Sequence, residues 1–313
     1  MIPALVPVFF GLLLFGLPIF ASLALAVTIA LSVWGNIDPM IVPMRMFSGM
    51  NNFSLMSIPY FILAAELMRI GGLSERLIGL ARVLIGWLPG GLAAAAVLAC
   101  LLFGSISGSS PATVIAIGSI MYPAMVAAGY DKYFSIGLIT TAGTLGPIVP
   151  PSIALIIYGS VTSTSVGMLF AAGLLPALVI GAMLIAYTTY VSMRRGYARD
   201  PIPTLAEIGH AFIRAAWGLG LPVILLGGIY SGVFTPTESA ATACLYGWLV
   251  GALVYRTIGL RDTMTILKGT ALLSGPLLLI TAGASAFLWL LATSGTPSQI
   301  AAQVLSSTDS PIL

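Results

Sequence analysis

The sequence predicts an all-α protein that crosses a lipid bilayer several times, and two observations support this fold class. Of its 313 residues, 59% are hydrophobic and only 7% are charged, whereas a soluble domain carries about 25% charged residues. Apolar runs comparable to the roughly 20 residues that span a bilayer recur along the chain. These runs are Ile2 to Trp34, Leu55 to Ile70, Leu92 to Ala128, Tyr133 to Val161, Met168 to Val191, Ala211 to Tyr230, Ala240 to Tyr255 and Ala271 to Thr293.

The first apolar run, Ile2 to Trp34, is expected to remain in the mature protein. It lacks the basic start of a secretory signal and exceeds the usual length of a signal's apolar region. Gly16 and Pro18 leave two possibilities open, because they can divide the run into two short helices or kink a single one.

The basic residues predict the orientation of the spans. Arg194, Arg195 and Arg199 follow the span that ends near Val191, so the positive-inside rule places this connector in the cytoplasm. The same rule then places Lys132 inside and requires Leu92 to Ala128 to enter and leave on one face, as a hairpin. The net charge of +3 rests on few groups, which gives nucleic-acid binding no support.

Two polar segments interrupt apolar runs, and both are predicted to break helices. The first is GSISGSSPAT, from Gly104 to Thr113, in which glycines relax the backbone and Pro111 suits the first turn of a new helix. Broken backbone at membrane depth is tolerated where it is buried in protein or lines a water-filled cavity, and such breaks mark ion and substrate sites. Carbonyl and hydroxyl oxygens suit sodium, and the N–H groups of a helix start suit a carboxylate. We therefore expect sodium ligands from Ser105, Ser109 and Ser110, and substrate contacts from Ser107, Ser109, Ser110 and Pro111.

The second break is GTLGPIVPPS, from Gly143 to Ser152. Its three prolines remove N–H donors, so carbonyls one turn earlier are expected to lack helical partners and to face an ion. The residues expected to serve sodium are Gly143, Thr144, Gly146 and Pro150, and those expected to serve the substrate are Pro151 and Ser152. The alternative for both breaks is close helix packing by small residues, with proline causing only a kink.

Two amphipathic segments precede apolar runs. GGLSERLIGLARVLIGW places Leu73, Leu77, Leu80, Leu84 and Trp87 at helical spacing, and RTIGLRDTMTILKGT is a weaker example. An amphipathic helix before an apolar one thus occurs twice. This order indicates either an internal repeat or only that short connectors between spans are generally amphipathic.

Other chemistry-bearing residues favour structural roles. Cys100 and Cys244 lie 144 residues apart inside apolar runs, so they are expected to be core residues rather than metal ligands. His210 lies on the polar connector, and this position leaves an intramembrane serine protease without a base. Glu66 has the spacing of a helical ion pair with Arg69.

A further acid, Glu238, follows two threonines at a helix start. Thr235 or Thr237 is expected to cap that helix, with Glu238 in its first turn.

The first break, the second break and the chain between them resemble the large membrane subunit of tripartite ATP-independent periplasmic (TRAP) transporters, the DctM-like M subunit. The resemblance rests on GSISGSSPATVIAIGSIMYPAMVAAGYDKYFSIGLITTAGTLGPIVPPSIALIIYG, on LFAAGLLPA and on GIYSGVFTPTESAATACLYGWLV. It implies an elevator-type transporter of the prokaryotic inner membrane with inverted repeats, driven by sodium and without another cofactor. It also implies two partners, a small four-helix membrane subunit and a periplasmic binding protein that delivers an organic acid such as a sialic acid, C4-dicarboxylate or keto acid.

The resemblance suggests four segments. They are scaffold helices in residues 1–70, an amphipathic arm with the first hairpin and broken helix in 71–165, further scaffold helices in 166–256, and a second arm with the start of a second repeat in 257–313. No second proline pair follows Thr235, so we expect this chain to be part of a longer one. A channel-like or structural membrane subunit is the remaining alternative.

Overall fold

A computed structural model describes residues 2–34, 37–295 and 298, and within these ranges the chain is helical without a strand. The α-helices are α1 (Ile2–Leu14), α2 (Ile19–Trp34), α3 (Ile41–Met50), α4 (Ser57–Ile70), α5 (Leu73–Ile85), α6 (Gly91–Ser107), α7 (Ser110–Ala127), α8 (Lys132–Gly143), α9 (Ile153–Thr162), α10 (Val166–Arg195), α11 (Leu205–Tyr230), α12 (Pro236–Leu249) and α13 (Leu260–Thr293). They form two compact units, one of Met1–Asn52 with Leu272–Leu313 and one of Phe53–Ala271.

The predicted all-α, multi-pass membrane fold is confirmed. Five helical segments are long and apolar enough to cross a membrane, namely Phe53–Ile70, Ser110–Ala127, Val166–Arg195, Leu205–Tyr230 and Leu260–Thr293. Four shorter apolar helical segments accompany them, namely Ala4–Leu14, Ile19–Val33, Gly91–Ser107 and Ile153–Thr162.

In the first unit, the N-terminal apolar run forms two helices rather than one. Gly16 has a φ of +82°, a left-handed conformation that glycine adopts without a steric cost, and the chain turns there before α2. Leu5, Val27, Leu31 and Leu290 are fully buried in one apolar cluster of this unit. The question that the sequence left open is therefore answered in favour of two short helices.

In the second unit, the arm helix α5 packs its apolar face against protein. Leu73, Leu77 and Leu80 are buried as their spacing predicts, whereas Trp87 is 42% exposed. Leu73 lies against Gly218 of α11, where an added Cβ would be 1.8 Å from the leucine Cδ1. The amphipathic pattern thus produces a helix that is held between its neighbours.

The two predicted breaks lie at the expected places. Helix α6 ends at Ser107, Gly108 adopts a φ of +58°, and α7 begins at Ser110. Helix α8 ends at Gly143, and α9 begins at Ile153 after a non-helical segment.

One expectation in the C-terminal half differs from the structure. From Leu260 onward, the weaker amphipathic segment and the apolar run after it form one continuous helix, α13, instead of two successive helices. Helix α11 begins at Leu205, so His210 of the connector lies on an exposed helical surface.

Candidate ion and substrate site

The hairpin tip, residues 104–113, is in direct contact with the proline break, residues 143–152. The N–H of Ile153 donates to the carbonyl oxygen of Gly108 at 3.4 Å. A Cβ on Gly108 would lie 2.6 Å from the carbonyl oxygen of Pro151 and 3.2 Å from the Cα of Ser152. Glycine is therefore needed at position 108 for two reasons, the left-handed backbone and the close approach of the break.

A second contact joins the same two segments one turn away. A Cβ on Gly104 would lie 3.0 Å from the Cα of Gly146. A Cβ on Gly146 would lie 2.9 Å from both the carbonyl oxygen of Ser109 and the Oγ1 of Thr113. The tip and the break thus approach each other so closely that neither glycine has room for a Cβ.

Inside the tip, Ser107 and Thr113 form a buried hydrogen-bond network. Thr113 Oγ1 donates to the carbonyl oxygen of Ser109 at 2.9 Å, and it lies 2.9 Å from Ser107 Oγ. Either hydroxyl can donate in that pair, and Ser107 Oγ also donates to the carbonyl oxygen of Ser109 at 3.4 Å. Ser107 is only 1% exposed, so its hydroxyl holds the turn together, and its expected substrate contact stays a prediction.

Ser152 has a similar internal role in the break. Its Oγ accepts the N–H of Leu155 at 3.3 Å and donates to the carbonyl oxygen of Pro147. The side chain therefore caps α9 and supplies the donor that proline geometry removes from the chain. Substrate binding by Ser152 and by the buried Pro151 stays a prediction.

The hydroxyls of Ser109 and Ser110 differ from these, because neither pairs with a described residue and both side chains are partly exposed. Ser109 is the N-cap residue of α7 by position but makes no side-chain cap. Within the described residues, the N–H groups of Ser110 and Ala112 also lack a partner, and Pro111 has no N–H. Two hydroxyls and the unpaired N–H groups at the start of α7 are therefore available to a ligand at the same place.

The carbonyls of the break are only partly free. The carbonyl of Gly143 accepts the N–H of Gly146 at 3.1 Å, and that of Pro147 accepts from Ser152. The chain continues past α8 through tight turns, and these supply donors three residues ahead despite the prolines. The Gly143 carbonyl therefore lacks its helical donor, as expected, because position 147 is proline, and it has a turn donor instead. A carbonyl that accepts one hydrogen bond keeps a lone pair, so its role as a sodium ligand stays a prediction. The carbonyls of Thr144, Gly146 and Pro150 accept no hydrogen bond from any described residue.

The side-chain hydroxyls of the remaining predicted sodium ligands are used locally. Ser105 Oγ donates to the carbonyl oxygen of Leu102 at 2.7 Å, and Thr144 Oγ1 donates to that of Thr141 at 2.7 Å. A hydroxyl that donates keeps an oxygen lone pair for a cation, so both assignments stay predictions.

Three of the residues that were expected to be structural, Cys100, Cys244 and Glu66, are buried or paired. Cys100 and Cys244 are free, buried thiols. In the described part of the chain, no group of three or more His, Cys, Asp or Glu residues could hold a metal ion. Glu66 pairs with Arg69 at 2.7 Å.

Thr235 caps α12 in a reciprocal capping box with Glu238. A second box, between Thr204 and Glu207 at the start of α11, was missed in the sequence although the T-x-x-E spacing is visible there.

Comparison with known proteins shows the family. Residues 6–313 match the family described as "Tripartite ATP-independent periplasmic transporter, DctM component". The chain is 41% identical over 305 residues to the C4-dicarboxylate TRAP transporter large permease protein DctM of Rhodobacter capsulatus, covering 93% of this chain and 69% of that one. It is 43% identical over 260 residues to the protein of the same name from Pseudomonas aeruginosa, covering 83% and 61% respectively.

The relatives differ in length and in the substrate that they are named for. The 2,3-diketo-L-gulonate TRAP transporter large permease protein YiaN of Escherichia coli is 36% identical over 310 residues, which cover 98% of this chain and 73% of YiaN. This chain thus spans only part of the length of the relatives it matches, down to 49% for a protein named DctMQ. With its order of helices and breaks and with these matches over nearly its whole length, the chain belongs to the DctM family of TRAP transporter large permeases, multi-pass inner-membrane transporters rather than enzymes.

Proposed function

We propose that this chain is the site-bearing part of a sodium-coupled importer of an organic acid. In this proposal the coupling ion and the carboxylate bind where the hairpin tip meets the proline break. The observation that carries the proposal is the contact of Gly108 with Pro151 and Ile153, because it brings a helix start and unpaired carbonyls to one place. Na⁺ is a hard cation that takes oxygen ligands, and a helix N-terminus favours an anion.

The free groups fit these two ligands separately. The carbonyls of Thr144 and Gly146 and the hydroxyls of Ser109 and Ser110 offer neutral oxygens to sodium. The N–H groups at the start of α7 offer donors to a carboxylate. The relatives are named for C4-dicarboxylate, isethionate, ectoine, 2,3-diketo-L-gulonate and sialic acid. These compounds differ in size and share an anionic acid group, which is a sulfonate in isethionate and a carboxylate in the others.

The proposed partners are a small four-helix membrane subunit and a periplasmic binding protein that delivers the substrate. One relative is named Isethionate TRAP transporter permease protein DctMQ, and this chain covers 49% of it. That coverage leaves room in the relative for a further segment, which supports the proposed association with a second membrane subunit.

The test is uptake into proteoliposomes by the chain extended to the length of its relatives, together with both partners. Replacing Ser109 and Ser110 by alanine removes two hydroxyl ligands and keeps small residues at the tip. We expect the sodium concentration for half-maximal uptake to rise about tenfold, equivalent to ~1.4 kcal/mol.

The matched control is Ser119→Ala in the same hairpin, where the hydroxyl donates only to the carbonyl of Ala116 at 3.2 Å. This variant is expected to leave the sodium dependence unchanged. If the double variant also leaves it unchanged, the serines are packing residues. If the unaltered protein takes up substrate without a sodium gradient, the channel-like alternative is correct.

A further inference from the structure

The connector between α10 and α11, residues 196–204, makes contacts that the site at the hairpin tip does not explain. Gly196 ends α10 with a φ of +67°, and Thr204 caps α11. Between these two ends, Tyr197 and Asp200 contact the two ends of the hairpin that are farthest from its tip.

Asp200 fastens the connector to the corner between α5 and α6. Its carboxylate accepts two hydrogen bonds from the Arg82 guanidinium, at 2.6 and 3.0 Å. Its backbone N–H donates to the carbonyl oxygen of Gly86 at 3.0 Å. Arg82 lies in the last turn of α5 and Gly86 directly follows that helix, so this contact holds the chain that leads into the first leg of the hairpin.

Tyr197 fastens the connector to the corner between α7 and α8. Its ring stacks on Tyr130 with 4.2 Å between centroids. Its hydroxyl oxygen accepts the N–H of Asp131 at 3.1 Å and a hydrogen bond from Arg195 at 3.3 Å. Tyr130 and Asp131 directly follow the second leg of the hairpin.

The two corners meet. A Cβ on Gly90, the residue before α6, would lie 3.6 Å from the hydroxyl oxygen of Tyr130. Tyr130 is 4% exposed, so the hydroxyl lies inside the base of the hairpin. The connector therefore contacts both legs of the hairpin where they come together. These contacts lie 17 or more residues from the tip along each helix.

We propose that the connector acts as a clasp that holds the two legs of the hairpin together at their base, and that Arg82, Tyr197 and Asp200 are positioning residues for the site at the tip. Exposed ion pairs add little to stability in general, and the side chains of Arg82 and Asp200 are 55% and 32% exposed. The two hydrogen bonds between Arg82 and Asp200 instead restrict where the connector can lie relative to the corner between α5 and α6. The transport part of this inference rests on the proposed function.

The first test does not depend on transport. Hydrogen–deuterium exchange is measured on the full-length protein in detergent for Asp200→Asn and for the double charge exchange Arg82→Asp with Asp200→Arg. Asp200→Asn is expected to speed exchange about fivefold or more in both corners, residues 87–93 and 129–134, and the charge exchange is expected to restore part of the protection. The matched control is Glu66→Gln, which breaks an ion pair of 2.7 Å on α4 and is expected to leave both corners unchanged.

The second test uses the same variants in sodium-dependent uptake. Asp200→Asn is expected to raise the half-maximal sodium concentration about twofold to fivefold, with little change in the maximal rate. Exchange that stays unchanged in both corners, or an Asp200→Asn effect equal to that of Glu66→Gln in both assays, overturns the clasp. Uptake by the unaltered protein without a sodium gradient contradicts the proposed function and leaves the exchange test intact.

Discussion

Replacing Gly108 by alanine tests the contact between the hairpin tip and the proline break most directly. The φ of +58° costs a residue with a Cβ about 1–2 kcal/mol. The new Cβ would also lie 2.6 Å from the carbonyl oxygen of Pro151. Backbone atoms cannot move aside as a flexible side chain does, so this overlap costs about 1–3 kcal/mol more. We expect Gly108→Ala to lower the free energy of unfolding by about 2–5 kcal/mol.

Gly232→Ala is the matched control for this substitution. Gly232 has a φ of +73°, and a Cβ there meets nothing within 4 Å, so it carries only the backbone cost of about 1–2 kcal/mol. The difference of about 1–3 kcal/mol between the two variants isolates the contact with the break. Thermal unfolding of the full-length protein in one detergent would show it as a gap of at least ~2 °C. Equal melting temperatures would show that the tip and the break are not packed as described.

Three further predictions concern the same contacts. Gly146→Ala places a Cβ 2.9 Å from Thr113 Oγ1 and is expected to cost about 1–3 kcal/mol in thermal unfolding. Its control, Gly137→Ala, has open space around it inside α8 and is expected to stabilise by up to about 1 kcal/mol through helix propensity. Thr113→Val removes the hydroxyl that bridges Ser107 and Ser109, and a cost of about 1–3 kcal/mol is expected; an unchanged melting temperature would contradict the network. The hydrogen bond from Arg82 holds the pKa of Asp200 below its ordinary value, so the stability from this pair is complete above the unfolded pKa of about 4 and is lost as the pH falls through the folded pKa. Melting temperatures from pH 6 down to 3 should therefore fall more steeply for the unaltered protein than for Asp200→Asn, and parallel curves would count against the pair.

The positions of the two breaks could be predicted because local chemistry determines them. Gly108 at a left-handed position and Pro111 in a first helical turn act within a few residues of the chain. The division of the N-terminal run at Gly16 follows the same rule. Each of these residues changes the φ angles that the backbone can adopt at its own position. Such a local effect can be predicted from a single sequence.

The roles of individual hydroxyls could not be predicted in the same way. Ser107 and Ser109 stand in one short motif, yet one hydroxyl is bonded to Thr113 and the other pairs with no described residue. Folding decides which of two neighbouring serines turns inward, and the sequence pattern treats them alike. The carbonyl of Gly143 shows the same limit, because its donor comes from a tight turn that three prolines within ten residues argued against.

Contacts between residues far apart in the chain were the hardest feature to predict from the sequence. Arg82 and Asp200 are separated by 118 positions, and neither stands in a motif that suggests the other. The basic residues of the connector were interpreted only through the positive-inside rule. This rule predicts the orientation of the spans and does not predict ion-pair partners. A charge that serves topology can also form a specific ion pair, and only the fold reveals the second role.

The tip and the base of the hairpin together suggest why the unpaired polar groups lie where they do. A polar group that already has an internal partner can bind a ligand only after that bond breaks, whereas an unpaired one in an apolar surrounding gains from a ligand at once. The hydroxyls of Ser107 and Thr113 bond to each other, that of Ser152 bonds to Pro147 and Leu155, and these bonds hold the frame. Ser109 and Ser110 are left at the contact with the break, on a frame that glycine contacts fix at the tip and the connector fixes at the base. In the proposed function, such a frame lets a weakly held sodium ion contribute its binding energy to affinity instead of to ordering the site.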